Sequence, residues 1–168
     1  MQKSLTLLLI VTTGFEAFRF GAGTFRALLD LPARHRIGAV AFAAFSRATD
    51  LSPAGIVIYV IYGFGGAVFT GACWLIAGKV KAPVVVRRLM AVATTCSIAI
   101  LVLTAHAAPL MFRVGASSDD PQVLTCLLDQ FTVWTNLRIA LADMSFLAVL
   151  SALGYAALRR PEAPGGMS

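Results

Sequence analysis

Four ionisable side chains stand inside the most apolar stretches of this sequence. Glu16 and Arg19 lie in the first stretch, whereas Arg138 and Asp143 lie in the last one. An ionisable group in the hydrocarbon of a bilayer is unstable unless it is paired, is protonated or faces a wet cavity. The four groups therefore predict either buried ion pairs that fix the register of neighbouring helices, or a site at which an acid moves a proton.

The composition assigns the chain to the membrane proteins. Of its 168 residues, 58% are hydrophobic and 13% are charged, and the mean hydropathy is +0.82. A soluble domain of this length is not so apolar. The net charge of +6 comes from basic residues gathered between the apolar stretches, which suits anionic lipid headgroups and predicts no nucleic-acid partner. The three cysteines are far apart in sequence and predict no disulfide framework.

The hydropathy pattern predicts one all-α domain, residues 1–160, that forms an antiparallel four-helix transmembrane bundle. The predicted membrane-spanning helices cover residues 4–29, 52–78, 84–107 and 131–158. Pro32 is expected to end the first helix, because a proline disfavours helical geometry at the residue before it. Residues 34–52 are too polar to span, and they predict either a short interfacial helix or a packed connector. Residues 161–168 are expected to form a disordered tail.

The distribution of basic residues predicts how the bundle is oriented. If the N-terminus is cytoplasmic, the cytoplasmic segments hold Lys3, Lys79, Lys81, Arg87, Arg88, Arg159 and Arg160. The opposite side then holds fewer basic residues, namely Arg34, Arg36, Arg47 and Arg113. Because cytoplasmic loops carry the excess of Lys and Arg, both termini are expected in the cytoplasm. The expected location is a bacterial inner membrane, in which the protein is integral and contacts the lipids.

Depth along the spans places the polar side chains in one half of the bilayer. Glu16 and Asp143 each lie about 12 residues into their spans, near the bilayer midplane. Arg19 and Arg138 lie about one turn further out. The same half holds Tyr59, Tyr62, His106, Trp134 and Asn136. This distribution predicts a polar pocket in one half of the bundle, in which Glu16 could pair with Arg138, or Arg19 with Asp143.

One face of the first predicted helix carries charge together with glycine. At about 100° per residue, this face holds Glu16, Arg19, Gly23 and Arg26. Glycine lets another backbone come close, and charges need protein rather than lipid around them, so the face is predicted to point into the bundle. No trio of histidine and carboxylate stands at metal-ligand spacing, so no metal is expected.

The chain resembles the anthrone-oxygenase-like family of four-helix membrane proteins. The resemblance rests on a glycine-punctuated first helix, with Gly14 and Phe20-Gly-Ala-Gly-Thr-Phe25, and on Trp134-x-x-x-Arg138 after Phe131. It covers most of the chain. It implies an oxidoreductase without metal, flavin or other cofactor, which uses molecular oxygen to convert a tricyclic phenolic anthrone into a quinone.

The resemblance also implies roles for the polar side chains of the predicted pocket. Such a reaction needs a base, for which the candidates are His106, Glu16 and Asp143. Side chains that could stabilise the oxyanion are Arg138, Arg19 and Asn136. Those that could stack on the flat ring of the substrate are Trp134, Tyr59 and Tyr62.

A second interpretation belongs to another class of protein. The second predicted span is rich in glycine, with Gly63, Gly65, Gly66 and Gly71, and such a face suits close helix packing. The chain could therefore be a non-catalytic subunit or an assembly factor of a larger membrane complex. The partners expected from the two interpretations are a hydrophobic aromatic small molecule in the first, and other membrane proteins or further copies of the chain in the second.

Overall fold

The computed structural model describes the backbone of residues 2–158 and the side chains from residue 4 onward. Its elements are α1 (Gln2–Phe25), a π-helical turn (Arg26–Asp30), α2 (Leu31–Ile37), α3 (Ala39–Ala48), α4 (Pro53–Lys79), α5 (Val84–Ala116) and α6 (Pro121–Leu158). Every regular element in this part of the chain is helical, which confirms the all-α prediction. The predicted tail at 161–168 lies outside the described residues.

Four helical segments are long and apolar enough to cross a membrane, as predicted. They are Ser4–Ile37, Pro53–Lys79, Val84–Ala116 and Pro121–Leu158. Each of the long helices packs against the next along the chain, and α6 packs back against α1, so the four close into a bundle. The protein is therefore an integral membrane protein with a four-helix transmembrane bundle.

The first span does not end at Pro32, contrary to the prediction. A π-helical turn precedes the proline, and the Leu31 N–H bonds to the Arg26 carbonyl five residues back. This wider turn lets the chain pass the proline ring, which lies in the first turn of α2, where a missing N–H costs no hydrogen bond. The helical path then continues to Ile37 and stops at Gly38, whose φ of 86° favours glycine.

The third and fourth spans are longer than their predicted limits at 107 and 131. α5 continues through Pro109 to Ala116, and α6 already begins at Pro121. Asp120 caps α6, because its Oδ1 accepts a hydrogen bond from the Gln122 N–H at 2.8 Å. The added turns are packed rather than free, since Val114 and Leu124 are fully buried. Tertiary packing therefore extends both helices beyond the stretches that hydropathy identifies.

The connector between the first two spans contains the short helix α3, and one face of it is packed. Phe42 and Ala43 are buried against the neighbouring ends of α5 and α6. Arg47 donates hydrogen bonds to the carbonyl oxygens of Val114 and Ser117 at 3.2 and 2.9 Å, so it also caps the end of α5. The connector is thus both helical and packed against one end of the bundle.

Two apolar cores lie at opposite ends of the bundle. The core near the start of α1 contains Leu5, Leu9, Cys73, Ala77, Val86, Met90, Ala93, Ala148, Val149 and Ala152. The core under α3 contains Phe42, Ala43, Ala107, Leu110, Met111, Val114, Leu124, Leu127, Leu128 and Phe131. Glu16, Arg19, Arg138 and Asp143 lie between these two cores.

Candidate functional site

A cavity of about 350 Å³ lies between the two apolar cores. All four spans and the connector before α4 contribute to its wall. The lining residues are Arg19, Ala22, Gly23, Arg26, Asp30, Thr49, Asp50, Gly55, Ile58, Tyr59, Tyr62, Gly63, Ile100, Thr104, Thr135, Arg138, Ile139 and Ala142. A side chamber of about 80 Å³ shares Arg26, Asp50, Tyr59, Thr104 and Arg138 with it. The two spaces together are the Arg138 cavity.

Arg26, Asp50 and Tyr59 form a hydrogen-bonded group at one end of this cavity. Arg26 binds the Asp50 carboxylate through both terminal nitrogens, with Nη1 to Oδ1 at 3.0 Å and Nη2 to Oδ2 at 2.7 Å. The Tyr59 hydroxyl donates to Asp50 Oδ1 at 3.0 Å, and Arg26 Nη1 donates to the same hydroxyl. The group ties the π-helical turn to the connector and to α4. Both acceptor oxygens of Asp50 are engaged in it.

Arg138 on α6 has no acidic partner in the part of the chain that the structure describes. Its guanidinium donates to the hydroxyls of Thr104 and Thr135, at 3.3 and 3.2 Å. The Phe131 ring lies 5.8 Å from the guanidinium carbon of Arg138 and 5.7 Å from that of Arg26. Hydroxyls and a ring stabilise a cation only in part, so the guanidinium of Arg138 keeps a positive charge that no salt bridge compensates.

Arg19 and Glu16 form a buried ion pair below the cavity. Arg19 Nη1 lies 2.7 Å from Glu16 Oε1, and the Glu16 side chain is fully buried. Gly66 of α4 makes room for the pair, because a Cβ there would collide with the Arg19 guanidinium and lie 3.2 Å from Glu16 Oε1. The predicted buried ion pair is confirmed, but it forms within one helix. Residues three apart on a helix face already meet, so no partner from α6 is needed.

The structure brings some of the predicted site residues to the cavity and leaves others away from it. Arg19, Tyr59, Tyr62 and Arg138 line the cavity. His106 and Asn136 are exposed on the bundle surface.

Trp134 also lies outside the cavity wall. The His106 ring stacks on the Trp134 ring, with centroids 5.2 Å apart. Trp134 itself packs against the core under α3. The two rings therefore contact each other rather than the cavity.

The two midplane acids also lie outside the cavity wall. Glu16 is beneath the cavity and is separated from it by Arg19. Asp143 is half-buried and follows Ala142, which lines the cavity. Neither Glu16 Oε2 nor Asp143 Oδ1 has a hydrogen-bond partner among the described residues. An unpartnered carboxylate oxygen at this depth is costly, so each acid has capacity to bind a proton or a water molecule.

Three charged residues of the cavity, Arg26, Asp30 and Asp50, were missing from the predicted site. A signal existed for Arg26, because it shares the polar face of the first helix with Glu16 and Arg19. Asp50 lies in the turn before α4, where the sequence shows no helical periodicity that would place its side chain in the site. Asp30 was expected only to mark the end of a helix that in fact continues.

Ion pairs neutralise two of the three arginines that line the cavity. Arg19 pairs with Glu16 and Arg26 pairs with Asp50, so Arg138 is the lining arginine without a salt bridge among the described residues, and Asp30 is the lining carboxylate without one. An anionic group of a ligand would therefore pair with Arg138. No group of three or more His, Cys, Asp or Glu residues in residues 2–158 is arranged to hold a metal ion. No protein-family model, curated protein or solved structure matches the chain.

Proposed function

We propose that this membrane protein binds a hydrophobic phenolic or quinone-like small molecule in the Arg138 cavity and oxidises it with molecular oxygen, without a metal or flavin. The observation that carries the proposal is the Arg138 guanidinium, which lies inside the bundle and forms no salt bridge with a described carboxylate. A ligand oxygen with negative charge would complete this environment with charge-assisted hydrogen bonds. With both termini cytoplasmic, as the charge distribution predicts, the cavity lies in the half of the bilayer away from the cytoplasm.

The size and lining of the cavity support a flat aromatic ligand. Its volume of about 350 Å³ falls in the range of roughly 300–1,000 Å³ in which proteins hold small molecules. Tyr59, Tyr62 and Ile139 offer ring faces and a branched apolar side chain to the body of such a ligand. Arg138 and the threonines beside it offer hydrogen bonds to one end of it.

The reaction proposed from the family resemblance needs a base as well as an oxyanion site. An anthrone loses a proton from its ring CH₂, and the resulting carbanion is stabilised as an oxyanion on Arg138. Oxygen then adds at that carbon, one oxygen atom stays as the new carbonyl, and the other leaves with the two hydrogens as water. Anthrone and O₂ therefore give quinone and water, with no further oxidant or reductant.

Asp30 is the carboxylate on the cavity wall best able to accept that proton. Both oxygens of Asp50 are held by Arg26 and Tyr59, whereas no hydrogen bond or salt bridge holds Asp30 among the described residues, and Arg26 acts on Asp30 only through its charge. A carboxylate without a salt bridge is the better base, because a carboxylate bound by arginine is stabilised in its charged form. We therefore assign the base to Asp30 rather than to His106, Glu16 or Asp143.

The glycines of α4 give less support to the alternative, a docking subunit. A Cβ on Gly63 would lie 3.2 Å from Leu101, and one on Gly65 would lie 2.6 Å from Phe15. Gly66 faces the buried ion pair. These three glycines therefore allow close packing within the chain itself, and a second protein is not needed to explain them.

Turnover in a bilayer tests the proposal. We would reconstitute the protein into lipid nanodiscs, supply 1,8-dihydroxyanthrone, and follow oxygen consumption and quinone absorbance, with empty nanodiscs to measure spontaneous oxidation. Arg138→Gln should lower the catalysed rate at least about tenfold, as expected for losing a hydrogen bond to a charged group. Arg113→Gln is the matched control, because Arg113 is exposed near the end of α5 and does not line the cavity.

Two results would speak against the proposal. Equal turnover in the wild type and in Arg138→Gln would show that the Arg138 cavity is not the site of the reaction. The second result has two parts: the wild type shows no turnover, and it purifies in mild detergent together with partner proteins in fixed stoichiometry. That result would favour the docking subunit instead.

A further inference from the structure

The Arg138 cavity has one packed wall and one open rim. On α5 and α6 no lining residue is exposed, and the most buried side chains include Ile100 at 6% and Thr135 at 1%. On α4 two lining residues are exposed, Ile58 at 47% and Tyr59 at 37%. Ala22 on α1 is exposed as well. The cavity therefore opens sideways, between α1 and α4.

Aromatic contacts close α1 against α4 below this opening. The Phe18 and Tyr62 rings meet edge to face with centroids 5.3 Å apart, and the Phe15 and Phe69 rings lie 5.1 Å apart. Gly65 allows Phe15 to approach the α4 backbone. The two helices are thus sealed from the bundle middle down to the core near the start of α1.

The Arg26, Asp50 and Tyr59 group closes the other edge of the opening. It joins the π-helical turn after α1 to the connector before α4, and Thr49 and Asp50 of that connector form this end of the cavity. Between the two edges, the rim carries Ala22 on one side and Ile58 on the other. Both rim residues are apolar and belong to segments long and apolar enough to cross a membrane.

We infer that the ligand reaches Arg138 sideways from the bilayer, through the gap between α1 and α4, and that it is a membrane-dissolved amphiphile with an acidic oxygen at one end. This inference rests on the proposed function and adds the route and the physical class of the substrate. An apolar rim lets the hydrophobic body slide in from the lipid without being transferred into water. The oxyanion end then meets Arg138, while the body stays between Tyr59, Tyr62 and Ile58.

The experiment compares two tricyclic probes that share the ring and differ in solubility. In lipid vesicles, 1,8-dihydroxyanthraquinone dissolves in the bilayer, whereas anthraquinone-2-sulfonate stays in water. Stopped-flow quenching of the protein's tryptophan fluorescence gives the rate of capture of each. The wild type should capture the membrane-dissolved probe far faster than the water-soluble one.

A variant that narrows the gap between α1 and α4 tests the route directly. In the double variant Ala22→Phe with Ile58→Phe, capture of the membrane-dissolved probe should slow about tenfold, because a narrower gate lowers the association rate. Val11→Phe with Val68→Phe is the matched control, since both valines are exposed on the same two helices and neither lines the cavity. This control should leave the rate unchanged.

The possible failures can be told apart. If the narrowed and control variants capture the probe at the same rate, the sideways route is wrong and the proposed function stands. If the wild type binds neither probe, both the proposed function and the sideways route are wrong.

A second measurement does not need the narrowed variant to fold. Ile58→Trp in vesicles of lipids brominated on their acyl chains should be quenched more strongly than the wild type, because the rim faces the chains. Equal quenching of Ile58→Trp and the wild type would overturn the sideways route.

Discussion

Glu16 and Arg19 form an ion pair within a single turn of α1, with Oε1 and Nη1 2.7 Å apart, and this pairing leaves Arg138 on α6 without an acid. Had Glu16 paired with Arg138 across the bundle, the two charges would have cancelled inside the cavity. Because the acid is engaged on its own helix, the positive charge of Arg138 remains available to a ligand. The pairing of Glu16 thus determines the electrostatic character of the site.

Removing the acid of this pair should destabilise the fold. Glu16→Gln leaves the Arg19 guanidinium buried without a counter-charge, and breaking a buried pair in this way costs about 3–5 kcal/mol. The midpoint of SDS denaturation, followed by far-UV circular dichroism, measures the loss. The double variant Glu16→Gln with Arg19→Met should recover part of it, because the stranded charge is gone. A single variant as stable as the wild type would show that the pair does not matter to the fold.

Gly66 should tolerate no side chain. In Gly66→Ala the added methyl collides with the Arg19 guanidinium, so we expect a loss of about 1–3 kcal/mol in the free energy of unfolding. Gly71→Ala on the same helix is the control, since its Cβ would make an ordinary contact with Thr94 at 4.0 Å. That change should be neutral or stabilise by up to about 1 kcal/mol. Equal stability of the two variants would contradict the close approach at Gly66.

Neutralising Asp50 should strengthen the binding of an anion. Asp50→Asn frees Arg26 from its carboxylate and gives the cavity a second uncompensated guanidinium. The affinity for 1,8-dihydroxyanthraquinone, measured by tryptophan quenching in nanodiscs, should rise by up to about tenfold, the worth of one added charge-assisted hydrogen bond. Asp119→Asn, which changes the net charge equally at an exposed pair with Arg47, is the control. Unchanged or weaker binding in Asp50→Asn would contradict the charge balance of the site.

Replacing the proposed base should affect turnover and spare binding. In Asp30→Asn the kcat for 1,8-dihydroxyanthrone should fall by about 10²- to 10⁴-fold, the usual contribution of a positioned base. The affinity for the quinone, which has no CH₂ to deprotonate, should change little. If kcat is unchanged, the base lies elsewhere, and His106→Ala and Asp143→Asn would then identify it.

The sequence predicts the bundle well because hydropathy and length depend on local composition. The four spans follow from apolar stretches, and the depth of Glu16 and Arg19 follows from counting residues. The depth of a residue in the membrane does not reveal whether its side chain points into the bundle or toward the lipid. His106 is exposed whereas its neighbour Ala107 is fully buried, although both lie at the same level of the membrane.

Contacts that depend on distant segments were not predictable in the same way. Arg26 and Asp50 are joined across 24 positions by a connector without clear periodicity. The continuation past Pro32 depends on a π-helical turn that has no sequence signature of its own. The extra turns of α5 and α6 exist because α3 packs between them. Each of these features is decided by tertiary packing.

The proposed function requires that Arg138 bind an acidic oxygen of a hydrophobic ligand, and a double-mutant-type binding cycle measures this contact directly. The affinities of 1,8-dihydroxyanthraquinone and unsubstituted anthraquinone would be measured in nanodiscs for the wild type and for Arg138→Gln. The wild type should prefer the hydroxylated ring by about tenfold or more, the worth of a hydrogen bond to a charged group, and Arg138→Gln should lose that preference. A preference that survives in Arg138→Gln, or a wild type that binds the two rings equally, would contradict the account.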